Sequence, residues 1–492
     1  MPFELSDANL PEIAAKAAVP LYDRASLTAG IVHFGVGNFH RAHQAVYLDA
    51  LFNLGRDHDF ALVGAGVRPA DAEMRRKLAS QDYLTTVVEQ EAALSQARVT
   101  GSMIDFLEVG DPAATIARLA DPAIRIVSLT VTEGGYYIDP ASQSFDPTHP
   151  DIIADGRSPE APKTAFGLIL AGLRRRRDAG IAPFTVMSCD NIPGNGHVTE
   201  NAIVGLAQLS DPGLAEWVSE NVAFPNGMVD RITPATSQRE RDALAAEFGI
   251  LDAWPVFCEE FKQWVLEDHF PAGRPALEAV GVQFVADVAP FEFMKIRILN
   301  GGHATIAYPA GLLDIHFVHE AMDEPLIRRF LEKVERDEII PTVPPVPVTD
   351  LGAYYALIDR RFSNSRIGDT VARLCLDGSN RQPKFILPTA LDRLTAGKSV
   401  AGLALVSALW ARYCYGESDS GKVIPPNDPS WDRLTAQAKK ARHDPQAWLA
   451  MTDIFGPLAQ NPTYVAAFCT ALSALWADGT RATLERYLAG AL

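Results

Sequence analysis

With 492 residues the chain is longer than a single hydrophobic core sustains, so two domains or more are expected. Hydrophobic residues at 48% and charged residues at 21% exclude wholesale disorder and fibrous repeats. Asp and Glu number 61 against 44 Lys and Arg, and the resulting charge of −17 argues against nucleic acid and anionic membranes as partners.

The five cysteines (Cys189, Cys258, Cys375, Cys414, Cys469) lie far apart and never form C-x-x-C. Neither a disulfide framework nor a thiolate zinc site is suggested, and a reducing compartment fits best. The first residues lack a basic start followed by an apolar stretch, and no segment approaches the ~18 uninterrupted apolar residues of a membrane span. A cytoplasmic location is therefore expected. A monomer is compatible with the sequence.

In chain order, Gly30-Ile-Val-His-Phe-Gly35 predicts a strand and tight turn, and helical spacing of apolar residues follows from about Asn38 to Asn53. Phe60-Ala-Leu-Val-Gly-Ala-Gly66 predicts a second strand and 70–79 a helix, giving a βαβ start. Apolar runs at 83–88, 124–131 and 183–188 continue the pattern. A helix over 162–179 ends in the cluster Arg174 to Arg177, read as solvated cations at a helix C-terminus. Beyond about 290 the spacing predicts helices at 291–308, 320–337, 351–361, 366–375, 385–396, 400–414 and 464–476. The proline-dense stretch 340–347 joins two of them. An α/β dinucleotide-type domain over 1–285 followed by a mainly helical domain over 286–492 is the expected organisation.

The first turn, Gly35-Val-Gly37-Asn38-Phe39-His40-Arg41, has G-x-G but His40 where the dinucleotide fingerprint carries its third glycine. Arg41 either adds a cation near the phosphates or lies on the helix surface. Beyond the second strand, Asp71 is the candidate for the adenosine ribose and favours NAD, while Arg68 could meet a 2′-phosphate. Thr132-Glu133-Gly-Gly-Tyr136, Ser188-Cys-Asp-Asn191 and Asn226-Gly-Met-Val-Asp230-Arg231 are polar segments at the ends of apolar runs, where ligand sites recur. In Glu292-Phe-Met-Lys295-Ile-Arg-Ile-Leu-Asn300-Gly-Gly-His303, Lys295, Asn300 and His303 interrupt an otherwise apolar helix. At roughly 100° per residue they fall within an arc of about 140°, and a desolvated lysine there is a candidate general base.

Together these segments resemble the mannitol dehydrogenase family of long-chain polyol dehydrogenases and hexuronate reductases, in order and approximate spacing and over nearly the whole chain. Within it the likeness is greatest to the members that interconvert D-mannitol and D-fructose. The resemblance implies an expanded Rossmann domain followed by a helical domain, and reversible, NAD-dependent, metal-free oxidation of a secondary alcohol, with D-arabinitol and D-sorbitol as further substrates to consider. It implies that Lys295 is the base, that Asn191 and Asn300 hydrogen-bond the reacting oxygen, and that His303 and Asp230 orient the substrate and support the lysine. Arg373 matches a polyol-binding position. Arg381 stands where relatives often carry lysine. Gly35, Gly37, Asn38, Phe39, His40, Arg41, Asp71, Glu133 and Asn191 are the implied cofactor contacts. The alternatives are a fructuronate or tagaturonate reductase, with Arg373 or Arg381 pairing a substrate carboxylate, and a non-catalytic NAD-binding sensor.

Overall fold

The apolar run before the first glycine turn forms β1 (Ala29–Phe34), buried along nearly its whole length. The computed structural model describes residues 2–92, 94–139 and 144–492 and separates into two units, Met1–Ala289 and Pro290–Leu492. In the first unit β1 is joined by β2 (Ala61–Ala65), β3 (Met103–Phe106), β4 (Ile126–Leu129) and β5 (Thr185–Ser188). All pairings are parallel, in the order β3-β2-β1-β4-β5. This is the Rossmann-type order, which reverses direction at β1 and leaves its ligand crevice beyond the C-terminal ends of β1 and β4.

Both faces of the sheet are covered, which is why its inner strands are buried and largely apolar rather than alternating. Val32, Phe34, Val127 and Leu129 pack with Ile169, Leu173 and Ile203 on one side. Ile31 and Leu62 pack with Leu48, Phe52, Leu78 and Trp264 on the other.

Three expectations are corrected here. The helix expected from Asn38 to Asn53 is two, α1 (Asn38–Ala42) and α2 (Gln44–Asn53), because His43 leaves the helical region at φ −121°, ψ −87°. Its ring Nε2 lies 2.9 Å from the carbonyl of Gln263. The apolar run near 83–88 is a strand, Thr85–Gln90, but outside the nucleotide sheet. It pairs antiparallel with Ser95–Thr100 and parallel with Val256–Glu259 in a separate sheet. Finally, Arg176 is not a solvated cation: it is buried and donates to the carbonyls of Leu119, Ala182 and Ile124 at 2.8, 2.8 and 2.6 Å. Its guanidinium also lies over the Phe184 ring, so this arginine ties the helix Ala165–Asp178 to loops beside the sheet.

The second unit is helical among its described residues, as its spacing predicts. Helices include Leu351–Phe362, Leu387–Thr395, Ala401–Tyr413 and Pro462–Leu488, the last kinked at Gly479 (φ 80°). Two stretches are π-helical instead: Lys295–Asn300, which runs into α3 (Gly301–Leu312), and Glu335–Ile339. No helix among the described residues is long and apolar enough to cross a membrane.

Candidate active site

The glycine turn follows β1 directly. Gly35 has φ +91°, and a Cβ there would lie 2.1 Å from the Thr130 carbonyl, so only glycine lets β1 turn against the end of β4. Thr130 Oγ1 donates to the Gly35 carbonyl at 2.6 Å and lies 2.9 Å from His33 Nε2. Gly37 differs: its backbone (φ −95°) suits any residue, and a Cβ would meet nothing nearer than the Gly35 carbonyl at 3.8 Å. Nothing in the protein requires glycine there, whereas close approach of a pyrophosphate would. The turn therefore fits a dinucleotide by its backbone.

Its side chains largely face inward. His40 is buried and stacks on His33 with ring centres 3.5 Å apart; burial first, then the neighbouring His33 and Arg41, hold its pKa well below the usual value. Arg41, expected near phosphates or on the helix surface, is 1% exposed. It donates to Asn38 Oδ1 at 2.8 Å, to the Gly37 carbonyl at 3.3 Å and to the Trp254 carbonyl. Asn38 also donates to the Pro234 carbonyl at 3.3 Å, and Phe39 stacks on His43.

Asp71 lies in the first turn of the helix Pro69–Ala79, where its Oδ2 accepts from the amides of Val67 (2.9 Å) and Arg68 (2.8 Å). Arg68 reaches the Val131 carbonyl at 3.2 Å. Glu133 is exposed, on a 3-10 turn that Thr132 enters at φ 67°, ψ 165°. Beside it, after β5, comes Asn191, also exposed. The intervening Asp190, which sequence reasoning passed over, is buried and accepts from the amides of Val131 and Thr132, both at 2.9 Å, and from the Tyr136 hydroxyl at 2.7 Å. Burial raises its pKa, opposed by hydrogen bonds from Tyr136, Val131 and Thr132. A carboxylate at a strand end, next to the already suspected Asn191, was the available signal.

Asp230 ends the strand Gly227–Asp230 and is buried. The next residue, Arg231, is buried with an ion pair to Glu89 at 2.6 Å, and donates to the carbonyls of Ala42 (2.5 Å) and Glu259 (2.9 Å). The Asp230 strand is thereby pinned to the end of α1.

In the helical unit, Lys295 is 6% exposed and opens the π-helical stretch; Asn300 closes it and His303 follows in α3. The 100° spacing assumed from sequence does not hold across these residues, because a π-helix takes more residues per turn. His303 stacks on Phe362 at 4.1 Å. Arg373 and Arg381 come together: Arg381 donates to the carbonyls of Arg373 (3.3 Å) and Leu374 (3.0 Å). The Arg373 guanidinium grips both carboxylate oxygens of Asp369, which keeps its pKa high against the effect of burial.

The family models for the mannitol dehydrogenase Rossmann domain and the mannitol dehydrogenase C-terminal domain match residues 29–279 and 287–476. The chain belongs to the mannitol dehydrogenase family. It is 63% identical to mannitol 2-dehydrogenase of Cereibacter sphaeroides over 471 residues, 96% of this chain and 98% of that protein. To the mannitol 2-dehydrogenase of Aspergillus fumigatus it is 42% identical, with 99% of each chain covered. Among solved structures, Pseudomonas fluorescens mannitol 2-dehydrogenase in ternary complex with NAD and D-mannitol matches with a TM-score of 0.88 and 44% identity, over 99% of this chain and 100% of that one. A substrate-free D-sorbitol dehydrogenase matches with a TM-score of 0.91 and 35% identity, over 98% and 100%.

Proposed function

We propose that this chain is an NAD-dependent polyol dehydrogenase that reversibly oxidises D-mannitol to D-fructose with Lys295 as general base and no metal. The observation that carries the reading is near-full-length similarity to mannitol 2-dehydrogenases, one of them solved with NAD and D-mannitol. The glycine turn supports it independently, since Gly37 has no internal reason to be glycine.

NAD, when bound, supplies the hydride acceptor. Gly35, Gly37, Asn38, Phe39, His40 and Arg41 would form its turn, with Asp71 at the ribose and Glu133 and Asn191 at the ends of β4 and β5. Lys295, in its neutral form, takes the proton from the alcohol oxygen as the carbon that bears it loses hydride, and returns it in the reverse reaction. The amides of Asn191 and Asn300 donate to the developing alkoxide, where charge appears in the transition state. His303 and Asp230 orient the substrate and support the lysine, and Arg373 and Arg381 hold its distal hydroxyls. Asp369 occupies the Nε/Nη2 edge of Arg373 and offsets its charge, so this arginine is a weaker partner for a substrate carboxylate than an unpaired one would be. This favours a neutral polyol over fructuronate or tagaturonate. A cytoplasmic location belongs to the same reading and agrees with five unpaired cysteines.

The test is a panel of D-mannitol, D-sorbitol, D-arabinitol and fructuronate with NAD and NADP, run on wild type and Lys295→Ala. Wild type should turn over D-mannitol with NAD, and the variant should still bind NAD but lose roughly 10² to 10⁴ in turnover, the range for a general base. Faster reduction of fructuronate than of fructose would replace the polyol reading by the uronate one. A Lys295→Ala enzyme of near-normal rate would move the base elsewhere.

A further inference from the structure

Thr132 has a backbone that its residue type avoids. At φ 67°, ψ 165° it lies in a region essentially reserved for glycine, and a β-branched side chain makes the conformation worse. Such a residue persists only where its surroundings over-determine it. The side-chain hold here is one carboxylate: Asp190 accepts from the amides of Thr132 and of the preceding Val131, and from the hydroxyl of Tyr136 at the far end of the same 3-10 turn, while the Thr132 carbonyl accepts from the Gly135 amide at 2.9 Å. Tyr136 is itself fixed, 2.6 Å from Ser188 Oγ at the end of β5 and in edge contact with Phe166. Asp190 is anchored in turn, since its amide donates to Ser188 Oγ at 3.2 Å and its carbonyl accepts from Asn195 Nδ2 at 3.0 Å.

The segment so held joins the glycine turn directly. Thr130, two residues before Thr132, is the residue whose hydroxyl donates to the Gly35 carbonyl and whose carbonyl excludes any side chain at Gly35. We propose that Asp190 is a positioning residue: by holding Thr132 in its disfavoured conformation it fixes the Thr132–Tyr136 segment, and with it Glu133 and the β4 side of the glycine turn, in the arrangement that binds NAD. The proposal rests on the reading above that NAD binds at this edge of the sheet. It separates the residue that sets the geometry from Asn191, its neighbour, to which the chemistry is assigned.

The conformational argument yields a rescue experiment. Val131 and Thr132 donate to different oxygens of Asp190, so Asp190→Asn keeps the shape but can accept from only one of the two amides and sets an NH2 donor against the other; with the charge also gone, the hold on Thr132 weakens and the segment shifts. NAD dissociation constants from calorimetric titration should rise roughly tenfold or more, as expected for losing hydrogen bonds to a charged group, while the Michaelis constant for polyol moves much less. Adding Thr132→Gly to Asp190→Asn should recover a large part of the lost NAD affinity, because glycine adopts the native angles without help. Melting temperature, followed alongside, reports any general loss of stability. Should Asp190→Asn not fold, Tyr136→Phe removes one of the three hydrogen bonds and should raise the NAD constant roughly threefold. Unchanged NAD affinity in Asp190→Asn, or in Tyr136→Phe where that variant is used, overturns the proposal; so does a double variant that melts like wild type yet binds NAD no better than Asp190→Asn. Wild-type protein that binds no NAD would overturn the cofactor reading and the proposal with it.

Discussion

Glu335 opens the second π-helical stretch with 0% of its surface exposed, and neither carboxyl oxygen has a hydrogen-bond partner among the described residues. It approaches α3 at Gly302, where a Cβ would lie 3.0 Å from its Oε1. Glu338, one turn on, is the contrast: buried too, its carboxylate accepts from the amides of Gly402 (2.8 Å) and Leu403 (3.0 Å). Burial alone pushes the Glu335 pKa well above the carboxylate range, so the folded protein holds a proton there that the unfolded chain releases near pH 4.5. A group with a raised folded pKa gives stability that is complete below its unfolded pKa and is lost as pH rises toward the folded value. For one proton the loss is about 1.4 kcal/mol per pH unit across that window. Glu335→Gln stays neutral and nearly isosteric, so its stability should match wild type near pH 4 and exceed it increasingly above pH 5. Urea unfolding followed by far-ultraviolet circular dichroism at half-unit pH steps measures both lines. Parallel lines for wild type and Glu335→Gln between pH 5 and 8 would refute the reasoning, because Glu335 would then be titrating as an ordinary carboxyl.

The two glycines of the first turn should respond differently to alanine. Gly35→Ala places a side chain against the Thr130 carbonyl at φ +91° and should lower the melting temperature sharply, while Gly37→Ala should melt like wild type and lose NAD affinity in titration. Asp71→Ala removes the acceptor for two backbone amides and should cost about 0.5–2 kcal/mol in chemical denaturation. If Asp71 also meets the ribose, the same variant should raise the rate with NADP relative to NAD. Arg373→Ala should raise the Michaelis constant for polyol and fructose while leaving that for NAD near wild type, as steady-state kinetics would show.

The parts of this fold legible in the sequence were those governed by local pattern. Gly30–Phe34, Phe60–Ala65, 124–131 and 183–188 read as buried strands because a sheet covered on both faces makes each strand continuously apolar. Met103–Phe106 was missed because Asp105 interrupts it and leaves no continuous apolar run. The strand Thr85–Gln90 was found and misplaced, since an apolar run records burial and not the partner that provides it. Arg176 reads like its solvated neighbours, and only the tertiary fold brings the carbonyls of Leu119, Ala182 and Ile124 around it. At the candidate site the residues were visible but not their states. Nothing in the order Thr-Glu-Gly-Gly-Tyr says that the threonine, rather than a glycine, carries the positive φ, because that is imposed by a carboxylate 58 residues away in the chain.

The π-helical stretch from Lys295 to Asn300 amounts to a helix carrying surplus length. A π-segment can be regarded as an α-helix into which extra chain has been admitted, and its hydrogen bonds close over five residues instead of four. Taking one residue out between Lys295 and Asn300 would let the stretch tighten into ordinary α-helix with the downstream direction nearly kept, because four steps of about 100° cover almost the same angle as five of about 80°. Forcing the stretch into α-helix at unchanged length would instead turn Asn300 and His303 by roughly 100° from their present direction. Anyone grafting this trio onto another scaffold must transplant the surplus residue as well, since a straight helix carrying Lys, Asn and His at the same intervals would present a different face.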